Sequence, residues 1–125
     1  MNKLLLTVLT ATLGLALPAG AKDRQEIEVH IVQGRITVPE EVATTTVEDT
    51  ALLWRIVQAG YEFSADGIVL ESTGKHQCRL TQDRRVFRCN KLRHDRGERY
   101  KYMVKVIDVQ RGAALEPLDP YIQNN

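Results

Sequence analysis

The chain has little of what usually announces chemistry. Among its 125 residues are two cysteines and three histidines, which leaves little material for a metal cluster. No G-x-S-x-G, H-E-x-x-H, P-loop or G-x-G-x-x-G pattern occurs, so no ready-made nucleophile, zinc site or phosphate cradle is present and the expectation is a protein that is not an enzyme. The formal net charge is only +1, so no global field points to a partner. Its longest apolar run, 4–17, falls short of the roughly 20 residues that cross a bilayer. With 43% hydrophobic and 26% charged residues, the composition is that of one globular domain. It excludes a disordered chain, a coiled coil and a polytopic membrane protein.

What is present begins with an export pattern. Lys3 precedes the apolar run, Pro18 breaks it, and Ala19-Gly20-Ala21 fits the small subsites of a signal peptidase. Residues 1–21 therefore read as a signal peptide and residues 22–125 as a single domain, periplasmic or secreted, without stable membrane insertion. Position 22 is Lys, so lipoprotein processing has no thiol to acylate.

Charge is unevenly spread. Residues 22–74 carry 4 basic and 10 acidic groups, residues 75–105 carry 11 and 3, and residues 106–125 carry 1 and 3. Such asymmetry marks either an anionic partner or strands matched within the fold.

The mature region alternates with period two, the signature of half-buried strands. Ile27, Val29 and Ile31 share one side, with Glu28 and His30 on the other. Gly34 interrupts, and residues 35–38 continue as a short piece before the Pro39-Glu40-Glu41 loop. Asp66-Gly67 reads as a turn leading into residues 68–70. Residues 99–109 alternate most clearly, with Tyr100, Tyr102, Val104 and Val106 facing together. Pro117 and Pro120 leave room only for an edge strand in the tail. Residues 47–59 have two readings. One is a helix with a capping box at Thr45-Thr46-Val47-Glu48, Asp49 in its first turn and a stop at Gly60. The favoured one is a strand over 51–58 with Leu52, Trp54 and Ile56 facing the core. Short strands with frequent turns predict an all-β fold, a sandwich or a barrel, and the leading expectation is a small antiparallel β-sandwich.

Cys78 and Cys89 supply the most specific inference. A four-residue loop at 82–85 pairs 81 with 86, 80 with 87, 79 with 88 and 78 with 89. The cysteines then face each other, close enough to bridge in an oxidising compartment. The competing use of these sulfurs is a metal site with His76, which lacks a fourth ligand at zinc spacing. No cofactor is implied.

The same register sets Arg79 opposite Arg88, a like-charge pairing that costs stability unless something answers it. Internal matching would draw on Glu26, Glu28 or Glu71. Otherwise the face is kept positive for a partner. Arg84 and Arg85 stand at the hairpin tip, and Lys91, Arg93, Arg96 and Arg99 follow. Arg79, Arg84, Arg85, Arg88, Lys101 and Lys105 are the candidate contacts for an anionic partner, since guanidinium forks suit phosphate and carboxylate. No regular aromatic spacing accompanies them, which argues against nucleic acid.

The stretch Asp95-Arg96-Gly97-Glu98-Arg99-Tyr100-Lys101-Tyr102 resembles a late strand of an immunoglobulin-like sandwich. That resemblance implies a tyrosine corner at Tyr100 and a core tryptophan at Trp54. The tail Leu118-Asp119-Pro120-Tyr121-Ile122-Gln123-Asn124 is similar to those of small secreted bacterial proteins, which implies no activity. The leading expectation is a non-catalytic module that binds a protein or an anionic envelope component through the basic hairpin. The alternatives are a small periplasmic inhibitor of a hydrolase and a metal-handling protein using His30, His76, His94 and Met103.

Overall fold

The computed structural model describes residues 24–46, 51–71, 77–90 and 96–125. The expected signal peptide, the Glu48-Asp49 cap, His76, Lys91, Arg93 and His94 lie outside them. The described residues form ten strands: β1 Arg24–Val32, β2 Arg35–Thr37, β3 Val42–Thr45, β4 Ala51–Ile56, β5 Tyr61–Leu70, β6 Gln77–Leu80, β7 Val86–Asn90, β8 Arg99–Asp108, β9 Ala113–Ala114 and β10 Tyr121–Asn124. They build two sheets, ordered β2-β1-β4-β7-β6 and β3-β10-β8-β5, with β9 on β8. The fold is an all-β sandwich.

Alternation dictates its interior. Ile27, Val29 and Ile31 of β1, Leu52, Trp54 and Ile56 of β4, and Phe87 and Cys89 of β7 face inward from the first sheet. Tyr102, Val104 and Val106 of β8, Phe63 and Ile68 of β5, and Ile122 of β10 meet them from the second. The Trp54 ring lies 5.2 Å from the Tyr102 ring, and Phe63 meets Phe87 edge-on at 5.6 Å. Each such side chain removed from water stabilises the fold by about 1.5–3 kcal/mol. Residues 51–56 are a strand, as their two-residue alternation favours, because both flanking strands pair with them and Trp54 needs an interior to fill.

Three expectations are corrected. The sheets are mixed and not purely antiparallel: β1 runs parallel to β4, and β10 parallel to β3. The chain leaves the first sheet after β2, contributes β3 to the second, and returns in β4 pointing the same way as β1. The tail is not an edge, since β10 lies between β3 and β8. Both prolines precede it, so every residue of Tyr121–Asn124 keeps a donor for the ladder. Asp66-Gly67 is not a turn between strands but part of a bulge. In β5, residues 64–67 oppose Lys105 alone, between the pairs Phe63↔Val106 and Ile68↔Val104. Gly67 is required there, because a Cβ would stand 2.7 Å from the Phe63 Cβ.

One end of the sandwich is pinned by a buried polar chain. Thr45 Oγ1 donates to Asn124 Oδ1 at 2.8 Å, and Asn124 Nδ2 donates to the Tyr100 hydroxyl at 2.6 Å. Thr45 and Asn124 are fully buried, so each hydrogen bond offsets a desolvation cost of about 1–3 kcal/mol.

Candidate functional site

The β6–β7 hairpin has the register its sequence predicts: Cys78↔Cys89, Arg79↔Arg88 and Leu80↔Phe87. Thr81 N–H donates to the Val86 carbonyl at 3.1 Å, and Val86 N–H donates to the Asp83 carbonyl at 2.8 Å, closing the turn over residues 82–85. Counting back by twos from the hydrogen-bonded 81–86 pair puts Cys78 and Cys89 at a non-hydrogen-bonded position, where strands approach most closely. Their Cα atoms are 3.9 Å apart and the disulfide is formed. The bridge rests on the inner face, with Cys89 fully buried. With both sulfurs so engaged, neither offers a thiolate to a metal, and no group of three metal-ligating side chains occurs among the described residues. His30 and Met103 lie on the outer faces of opposite sheets and are not brought together.

The six basic candidates fall in three places. At the tip, Arg84 Nε donates to Glu62 of β5 at 3.0 Å. Arg85 reaches back and donates from one terminal nitrogen to the carbonyls of Ile56 and Val57, each at 3.1 Å. The tip backbone is tied as well, because the Arg85 carbonyl accepts Ile56 N–H and the Arg84 carbonyl accepts Phe63 N–H, each at 2.9 Å. These arginines hold the hairpin to both sheets. Lys105, on the outer face of the second sheet, donates to Asp66 at 2.8 Å across the bulge, and this contact holds the Asp66 carboxyl below its usual range. Lys101 is exposed on the same face, beside Arg99, whose guanidinium stacks 5.6 Å over the Tyr121 ring.

Arg79 and Arg88 stand apart. Both project from the outer face of the first sheet, and no carboxylate among the described residues forms an ion pair with either. The strand registers lay out one row across that face, Glu26–Leu53–Arg88–Arg79. Leu53 separates the arginines from Glu26, and Glu26 is itself taken by Arg55 at 2.9 Å. Glu28 contacts His30 instead. Arg88 Nε is oriented by Asn90 Oδ1 at 3.3 Å. Internal matching therefore does occur at two of the six candidates, Arg84 through Glu62 and Lys105 through Asp66, but not at Arg79 or Arg88 among the described residues. Sequence reasoning missed both partners. Glu62 is 22 positions from Arg84, and no local spacing connects them.

The core beneath holds one unusual feature. Trp54 Nε1 and the Tyr102 hydroxyl are buried without a hydrogen-bond partner. Burial pushes the Tyr102 phenol up to about 12.

No protein-family model matches the chain, and no curated protein matches it in sequence. Among the described residues no helix is long and apolar enough to cross a membrane.

Proposed function

We propose that this protein is a non-catalytic, exported binding module whose contact surface is the outer face of the β6–β7 hairpin. One observation carries the reading: Arg79 and Arg88 are directly opposed, outward-facing, and unanswered by any carboxylate among the described residues. Opposed like charges cost about 0.2–1 kcal/mol, and an oxyanion placed between two guanidiniums turns that repulsion into two charge-assisted hydrogen bonds. The partner is a protein or envelope component that presents carboxylate or phosphate groups. The disulfide suits a periplasmic or extracellular location, where oxidised cysteines persist. The resemblance to immunoglobulin-like sandwiches is supported by a buried tryptophan on a central strand, here Trp54 on β4.

The test is retention of the purified protein on an immobilised polyanion, eluted with a salt gradient. Replacing Arg79 and Arg88 together with Gln is expected to lower the eluting salt concentration while leaving the melting temperature unchanged or slightly raised. Unchanged retention overturns the assignment of the contact surface.

A further inference from the structure

The β1 edge of the first sheet carries a different kind of surface. β1 pairs with β4 along residues 24–29, but β2 covers its other side only at residues 30–32. The direction of the backbone groups follows from the contacts β1 does make. The Val29 carbonyl accepts Val57 N–H at 3.1 Å. The Gln58 amide holds Ile31 from the same side, accepting its N–H at 3.0 Å and donating to its carbonyl at 2.9 Å. Backbone groups reverse direction at each residue along a strand. The N–H and C=O of Glu26 and Glu28 therefore point away from β4, where no described strand receives them.

Across this open edge lies β3, the outer strand of the second sheet. Between the two is a cavity of about 280 Å³, lined by residues 25–28 of β1 and by Pro39, Glu40 and Ala43. Its inner side carries Ile27 and Ala43, both buried, and the Gln25 Oε1, which is buried without a hydrogen-bond partner. Its outer side is acidic. Among the described residues, Glu26 pairs with Arg55, Glu28 meets only the His30 ring, and Glu40 has no cationic partner.

We propose that this edge is a second binding site, which takes an extended peptide whose basic side chains alternate with apolar ones. A strand laid along β1 satisfies the four waiting backbone groups of Glu26 and Glu28. Because side chains alternate, every second residue of the guest enters the gap beside Ile27 and Ala43, and the others stand beside Glu26 and Glu28. The same carboxylates oppose self-association through this edge, since antiparallel pairing of β1 with a second β1 sets glutamates against glutamates. The occupant is thus a basic strand from another protein. This site is distinct from the Arg79–Arg88 pair: it has opposite charge and lies at the β1 edge of the sheet, with Leu53 between Glu26 and Arg88.

The probe is a blocked heptapeptide with Lys at three alternate positions and Val between them, compared with its Lys→Glu counterpart. With the Lys peptide, amide exchange at Glu26 and Glu28 is expected to slow, while the already paired Ile27 amide is unchanged. Glu28→Lys is expected to weaken binding at least about fivefold. Glu28→Pro removes a donor that points off the existing ladder, so it is expected to abolish binding in a folded protein. Glu28→Gln separates loss of charge from loss of the donor and is expected to bind with intermediate affinity. Amides of Glu26 and Glu28 that stay unprotected at saturating Lys peptide overturn the proposal, as does equal protection by the Glu peptide. Dimerisation of the free protein that Glu28→Pro abolishes also overturns it. The Arg79/Arg88 variant is expected to bind this peptide normally, so the two sites succeed or fail separately.

Discussion

Four arginines occupy one hairpin, and the two at its tip do work unlike that of the two on its outer face. Arg84 and Arg85 reach a carboxylate and two carbonyls on strands far away in sequence, and they fasten the hairpin to both sheets. Arg79 and Arg88 sit a few residues away in the same hairpin and touch no acid among the described residues. The residue type is the same and the local charge density is the same. What differs is the neighbour: the tip overhangs β4 and β5, whereas the outer face looks into solvent. A basic cluster in a sequence is therefore two different things here, a structural clasp and an unspent surface.

The comparison can be broken by stepping outward through the hairpin from its inner layer. The largest effect is expected there: Cys78→Ala removes the disulfide and should cost about 2–4 kcal/mol in urea unfolding. It should also expose the Cys89 thiol to labelling in the unfolded protein. Alkaline pH tests the core layer the hairpin covers. The Tyr102 phenol ionises near 10 when unfolded and at about 12 when folded, so the unfolded chain releases its proton first. Its contribution is complete below pH 10 and is lost as pH rises toward 12, about 2–3 kcal/mol in all. Tyr102→Phe should flatten that decline. At the tip, Arg85→Ala leaves two carbonyls without their donor and should cost about 1.5–3 kcal/mol, measured by the same unfolding titration. Arg84→Ala breaks only an exposed ion pair and should cost less than about 1 kcal/mol. On the outer face, Arg79→Gln should change stability by no more than about 0.5 kcal/mol, in the stabilising direction. If Arg79→Gln proved as costly as Arg85→Ala, the distinction between clasp and free face would collapse.

The hairpin was legible from the sequence because everything in it is local. Two cysteines eleven positions apart, a polar stretch between them and alternation on both sides define the register, and Cys78↔Cys89, Arg79↔Arg88 and Leu80↔Phe87 follow. The long strand Arg99–Asp108 and its inward face were legible for the same reason, since the pleat repeats every two residues whatever lies beside it. Strand β3 was not, because four residues offer too few alternations to distinguish a strand from the loop before it. The bulge in β5 was misread because Asp66-Gly67 carries the chemistry of a turn, and only pairing with β8 on both sides shows that the strand continues through it.

Sequence alone determined the predominance of strands, the inward face of Arg99–Asp108, the disulfide and the register of its hairpin, and it favoured a strand around Trp54 over a helix. Each depends on side-chain period or on contacts within about a dozen residues, where little loop entropy opposes closure. The tertiary structure decided which strands became neighbours: β1 parallel to β4, β10 between β3 and β8, and β1 left half uncovered. Those choices depend on burial shared by residues far apart in the chain, and no short window of sequence records them. They also decided which charges were answered. Glu62 met Arg84 and Asp66 met Lys105 because the second sheet carried them there, while Arg79 and Arg88 were left facing water.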